Sequence, residues 1–164
     1  MLPKKTRDFQ NNQMRPDPES TVKEKTVFIY IELNNSAILI PIIQVKEVSE
    51  ILPIRPYPIS VEGHIGIVNL RGNIIPVFSI SWLLNREQFD DFHKEIAGAN
   101  RLVILSKENG TVFSIIAKSI DKVALDKTEQ AKGTLKVFDR VVKITSVSDL
   151  FLEDRENLNG PDQS

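Results

Sequence analysis

Gly66-Ile67-Val68-Asn69-Leu70-Arg71-Gly72-Asn73-Ile74-Ile75-Pro76-Val77 places two apolar runs on either side of Arg71-Gly72. Runs of this length rich in β-branched residues read as strands. A glycine at the apex supplies the φ > 0 that a tight reversal requires, so the stretch predicts a β-hairpin. An arginine at the apex and a proline in the return strand set it apart. Such an arginine is either a solvated turn residue or an interface anchor, a role in which arginine is enriched. Upstream, Val45-Lys46-Glu47-Val48 sets a carboxylate among apolar neighbours, positioned to pair with Arg71 in a bidentate contact. On a surface that pair contributes little to stability.

Working outward, the β signals continue. Val27 to Leu33 is β-branched and aromatic, Asn34-Asn35-Ser36 is a turn cluster, and Ala37 to Ile40 returns. Pro41 can open a single helical turn, whereas Val45, Glu47 and Val48 read as extended. Three prolines in Leu52 to Pro58 remove ladder donors, so this segment is an extended edge or a wrapping connection. Ser81 to Ile96 spaces Phe89, Phe92 and Ile96 among charged residues, a helical pattern ended by Gly98. A second β block runs Arg101 to Leu105, turns at Asn109-Gly110 and returns as Val112 to Ala117. Further strands are expected at Lys122 to Leu125, Leu135 to Phe138 and Val141 to Ile144, with Asp139-Arg140 turning between the last two. Ser146 or Ser148 caps a short helix through Phe151.

Short strands with frequent turns predict a mainly β chain. Two blocks separated by a charged helical bridge predict two small barrels, the first over about residues 26–80 and the second over about 100–145. Residues 1–25 and 153–164 lack periodicity and are expected to be a disordered arm and a flexible tail.

Composition narrows the function. The 164 residues carry 21 basic and 22 acidic side chains, a net charge of -1, which argues against a coat for nucleic acid. The absence of cysteine removes disulfides, thiol nucleophiles and thiolate metal sites. No apolar run approaches the ~20 residues of a membrane span and no signal peptide is evident, so a cytoplasmic protein without direct membrane insertion is expected. His64 and His93 lack a plausible catalytic or metal-binding setting: Asp90, His93 and Glu95 do not share one helical face. Gly63-His64-Ile65-Gly66 matches a backbone-clamping GxxG pattern but lacks its helical flanks; a tight turn and close backbone approach explain these glycines better. No phosphate loop, dinucleotide fingerprint or nucleophile elbow is present. The expectation is a non-enzyme with no catalytic residue, cofactor or metal.

These segments together resemble the CheW-like family of bacterial chemotaxis coupling proteins. The family's stretch "G-V-I-N-L-R-G-x-I-I-P-V" corresponds to Gly66 to Val77, and its "V-Q-E-V" to Val45-Lys46-Glu47-Val48. The likeness is specific over Val27 to Leu84, moderate over Arg101 to Leu125 and thinner beyond. It implies one CheW-like domain over residues 26–152, made of two five-stranded SH3-like barrels. It implies a scaffold binding the cytoplasmic tip of a chemoreceptor, a methyl-accepting chemotaxis protein, and the regulatory domain of a CheA-type histidine kinase. It implies receptor contact through the groove between the barrels, at Val45, Glu47, Gly66 and Arg71, with Val48 adjoining the motif. Three departures stand out. Ser79 occupies a position often held by aspartate, Lys118 ends a segment that in the family favours "V-V-D", and Leu125 to Thr134 is short. These suit an alternative reading, a divergent module of a separate pathway serving a pilus or gliding motility. A third reading, a small-barrel nucleic-acid binder, is opposed by the near-zero net charge.

Overall fold

The computed structural model describes residues 24–57 and 61–151. The expected N-terminal arm, apart from Glu24 and Lys25, and the expected tail lie outside the described residues. Among the described residues, ten strands and three short helices follow in the order β1 (Lys25–Leu33), β2 (Ser36–Pro41), β3 (Val45–Glu50), β4 (His64–Leu70), β5 (Asn73–Phe78), α1 (Ile80–Asn85), α2 (Phe92–Ile96), β6 (Arg101–Ser106), β7 (Val112–Ala117), β8 (Ser119–Asp126), α3 (Lys127–Ala131), β9 (Thr134–Val137) and β10 (Arg140–Ile144). Single 3-10 turns occupy Ile42–Gln44 and Asp149–Phe151. The chain is mainly β, as the sequence predicts, and forms two five-stranded sheets ordered β8-β1-β2-β10-β9 and β3-β6-β7-β5-β4.

The near-continuous apolar runs of β1 and β2 arise because both faces of these strands are covered. Ile29, Ile31, Leu33, Ile38 and Ile40 enter a large core shared with the other sheet. The alternate residues Phe28, Tyr30 and Leu39 enter a smaller core with Leu125, Val137 and Val142. Successive side chains point to opposite faces of a strand, so a one-residue slip would exchange the two sets. Each side chain so buried contributes about 1.5–3 kcal/mol. Cutting Ile31 back to alanine at the shared face would cost about 2–5 kcal/mol.

The sheets do not divide the chain into 26–80 and 100–145. Strands β3 to β7 form one sheet from a continuous stretch, which is inserted between β2 and β8 of the other. The chain crosses over after Pro41, which has no N–H to extend a ladder, and the Ile42–Gln44 turn redirects it into β3. It crosses back at Lys118, whose N–H donates to the Glu32 carbonyl at 2.7 Å. The cause of the misplaced boundary is physical: β1 and β2, paired with each other, find their outer partners in β8 and β10 rather than in β3 to β5.

The helical stretch is also divided. Buried Ser79 caps α1 by accepting from the Trp82 N–H at 3.3 Å. Arg86, left-handed at φ 57, ends it. Its guanidinium donates to the Trp82 and Leu83 carbonyls at the helix end and to the Leu150 carbonyl of the final turn. Asp91 then caps a new helix through the His93 N–H at 2.8 Å. In the short 125–134 stretch, Asp126 caps α3 by accepting from the Glu129 N–H at 2.8 Å. Ser146 accepts from the Asp149 N–H at 3.1 Å at the head of the expected final turn.

The two sheets share one plan. In each, strands one to three are antiparallel, the third and fourth run parallel, and the last two form a hairpin. The registers superimpose as well. Glu47 pairs with Ile104, Ile104 with Ser114 and Ser114 with Val77, four residues past the Arg71-Gly72 turn and Asn73. Asp121 pairs with Tyr30, Tyr30 with Leu39 and Leu39 with Ile144, four residues past the Phe138-Asp139 turn and Arg140. One sheet is therefore a circular permutation of the other.

Candidate functional site

The hairpin predicted around Arg71 is β4–β5. Leu70 pairs with Asn73, which leaves Arg71 and Gly72 as a two-residue turn with φ of 52° and 87°. Two positive φ values in succession mark a type I′ turn, whose twist matches that of the flanking strands. The Asn69 Oδ1 accepts from the Gly72 N–H at 2.8 Å and fixes the bend. The turn residue Arg71 thus points its guanidinium across the sheet rather than into solvent alone.

Its target is Glu47. Arg71 Nη2 donates to Oε1 at 2.6 Å and to Oε2 at 2.7 Å, and Nη1 donates to Oε1 at 3.0 Å. The pairing expected from the sequence is present and engages both oxygens. Glu47 reaches this position beside a register shift between Val45 and Glu47, a bulge that re-aims side chains on β3. The pair is open to solvent, with the arginine side chain 64% exposed and the glutamate 33%.

A cleft of about 480 Å³ surrounds the pair, lined by Lys46, Leu70, Ile74 and Ile75 among others. Ile74 is 61% exposed, and Val48, on the same strand as Glu47, is 44% exposed. Isolated apolar exposure is ordinary, but Ile74 adjoins a fixed charge pair, an arrangement suited to an amphipathic surface. Every lining residue belongs to the inserted sheet or its hairpin turn, so the cleft is the mouth of one module and not the groove between two.

The five residues singled out from the sequence separate accordingly. Glu47 and Arg71 are in direct contact, Val48 follows Glu47 in sequence and is exposed, and Val45 is half-buried against the large core. Gly66 stands apart. It is buried in β4 beneath residues 52–57, the segment expected to wrap as an extended edge, which bridges to β4 through Arg55 and Ile67 at 2.9 and 2.8 Å. A Cβ at Gly66 would sit 2.3 Å from the Arg55 carbonyl oxygen. Its role here is close backbone approach, not exposure to a partner. Ile74 and Lys46 were missed, although alternation in Ile74-Ile75-Pro76-Val77, with Ile75 and Val77 buried, leaves Ile74 outward.

The acidic and imidazole groups near α2 do not converge. The Ser79 hydroxyl donates to Glu95, whereas His93 is exposed. Among the described residues, no group of three histidine or carboxylate side chains could hold a metal ion, and no helix is long and apolar enough to cross a membrane. His64 sits between the Tyr57 and Phe78 rings, with centroids at 5.8 and 4.1 Å. Its Nδ1 is buried without a hydrogen-bond partner, and burial pushes its pKa below the ordinary 6.5.

Comparison with known proteins gives two matches of different kinds. The family model for a CheW-like domain matches residues 27–154. The crystal structure of the scaffolding protein TtCheW from Thermoanaerobacter tengcongensis superposes with a TM-score of 0.58 at 21% identity, covering 78% of this chain and 93% of that one. At that identity the likeness concerns the fold. No curated protein matches.

Proposed function

The chain belongs to the CheW-like family, and from that premise we propose that it is a non-enzymatic cytoplasmic scaffold coupling chemoreceptors to a CheA-type histidine kinase. The observation that carries the reading is the Arg71–Glu47 pair, held in a fixed bend at an exposed cleft with Ile74 and Leu70 beside it. A helical receptor tip would lay apolar side chains against Ile74, Leu70 and Val48, with its polar flank meeting Arg71. The kinase's regulatory domain would dock elsewhere on the same rigid pair of sheets. Signal would pass as a coupling free energy between two binding sites, which requires no reactive group.

The test is capture of this chain by the cytoplasmic tip of a chemoreceptor. Arg71→Glu would abolish capture while circular dichroism stays native. Retained capture would remove Arg71 from the interface. The second reading, service in a separate motility pathway, draws on Lys118 and on the compact α3 segment that fills residues 127–131. Co-purification with a kinase outside the main receptor array would favour it.

A further inference from the structure

The shared plan of the two sheets assigns an equivalent to each member of the Arg71–Glu47 pair. Register by register, Glu47 corresponds to Asp121 on β8, and the Arg71-Gly72 turn corresponds to Phe138-Asp139. The exposed Ile74 corresponds to Val141, which is 77% exposed. Phe138 and Asp139 repeat the two positive φ values, at 48° and 62°. The second turn is therefore the same device with a different side chain at its first position.

That difference leaves the second mouth unfilled. A cleft of about 290 Å³ lies there, lined by Tyr30, Glu32, Ser119, Ile120, Asp121 and Phe138. In the first mouth the carboxylate is neutralised by an arginine supplied from the turn. In the second the turn supplies an aromatic ring, 61% exposed and packed edge-on against Tyr30 at 5.1 Å. Asp121 is exposed, and the one hydrogen bond of its carboxylate among the described residues is local, from the Lys122 N–H at 2.8 Å. Glu32 already receives the Tyr30 hydroxyl, with Arg140 at 3.8 Å. Among the described residues the lining thus holds two carboxylates and no cation, whereas the first mouth holds Lys46 and Arg71 against Glu47.

We propose that the mouth formed by Asp121, Phe138 and Ile120 is a docking site for an arginine side chain of another protein, which supplies in trans the guanidinium that Arg71 supplies in cis to Glu47. A planar guanidinium suits both halves of the site. It donates two parallel hydrogen bonds to a carboxylate, and its face or edge stacks on an aromatic ring. Lysine, a compact and strongly hydrated point charge, matches neither as well. The partner is a protein segment bearing an arginine beside apolar side chains, which would cover Ile120 and Val141. The assignment follows from strand register and charge, and stands whatever binds at Arg71.

The experiment follows amide shifts of the isotopically labelled full chain on titration with acetyl-Leu-Arg-Gly-amide, and with the same peptide carrying lysine or uncharged citrulline. The arginine probe is expected to move the amides of Tyr30, Ile120, Asp121 and Phe138. Asp121→Asn should weaken that binding by about tenfold, the scale of one charge-assisted hydrogen-bond pair. Phe138→Arg should abolish it by closing the mouth in cis. The lysine probe should bind more weakly and the citrulline probe not at all. Absent shifts, shifts confined to the Arg71 mouth, equal response to arginine and lysine, or binding indifferent to Asp121→Asn would each overturn the assignment.

Discussion

Arg71 and Glu47 join the two end strands of one sheet. Glu47 lies on β3, the strand at one end of the order β3-β6-β7-β5-β4, and Arg71 immediately follows β4, the strand at the other. The bidentate contact therefore closes the mouth of a five-stranded module without a backbone ladder between its edges. Edges left open invite pairing with other chains; the backbone of Arg55 covers β4 at Ile67, and the side-chain pair closes the end beyond it while remaining on the surface.

Closure of this kind carries little folding energy. Exposed ion pairs contribute about 0.2–1 kcal/mol, and a non-glycine residue in the left-handed region costs about 1–2 kcal/mol. Arg71, at φ 52, holds both features. Arg71→Gly gives up the first and relieves the second. The expected outcome is an unfolding free energy in urea that is unchanged or higher than wild type by up to about 1.5 kcal/mol, together with lost capture by a receptor tip. A loss of about 2 kcal/mol or more would mean that the pair holds the fold rather than displays a contact.

Two glycines separate sterics from backbone strain. Gly72 has φ 87 and open space where a Cβ would sit, so Gly72→Ala should cost about 1 kcal/mol through conformation alone. At Gly66 the φ is unremarkable and the obstacle is the Arg55 carbonyl. Gly66→Ala must push residues 52–57 away and break both Arg55–Ile67 hydrogen bonds, about 1 kcal/mol each in addition to the clash. Hydrogen exchange reads the difference: the Arg55 and Ile67 amides should lose protection in Gly66→Ala and keep it in Gly72→Ala. Protection retained at Ile67 in the first variant would contradict the steric role.

Much of the architecture was legible because local chemistry decides it. The Arg71-Gly72 turn, the extended segment over β3, the Asn109-Gly110 reversal and the Arg71–Glu47 pair follow from turn residues and strand spacing. The nesting of one sheet inside the other was not legible. Nothing in Val27 to Leu33 states that its partner on one side is β8, almost a hundred residues away, because that choice is made by burial on both faces. Phe138 shows the same limit. An aromatic residue in a left-handed turn position contradicts ordinary turn preferences, and only the register shows that it stands where Arg71 stands in the other sheet.

His64 gives the fold a pH dependence whose sign is fixed by burial. Its pKa in the folded chain lies below the ordinary 6.5 because the charged form is poorly solvated between Tyr57 and Phe78, and its buried Nδ1 has no acceptor for an added proton. Between the folded and unfolded pKa values the unfolded chain binds a proton that the folded chain refuses. Stability from this site is therefore complete above about pH 6.5 and declines as pH falls below it, until the folded imidazole also protonates. Carboxylates change stability over part of the same range, so the informative quantity is the gap between wild type and His64→Phe, which keeps an aromatic ring between its neighbours. Urea midpoints taken from about pH 7.5 down to about pH 5 should show wild type losing ground to His64→Phe as the solution becomes acidic. A gap that stays constant over that range, or that moves in favour of wild type at low pH, would mean that His64 is at least as readily charged in the folded chain as in the unfolded one.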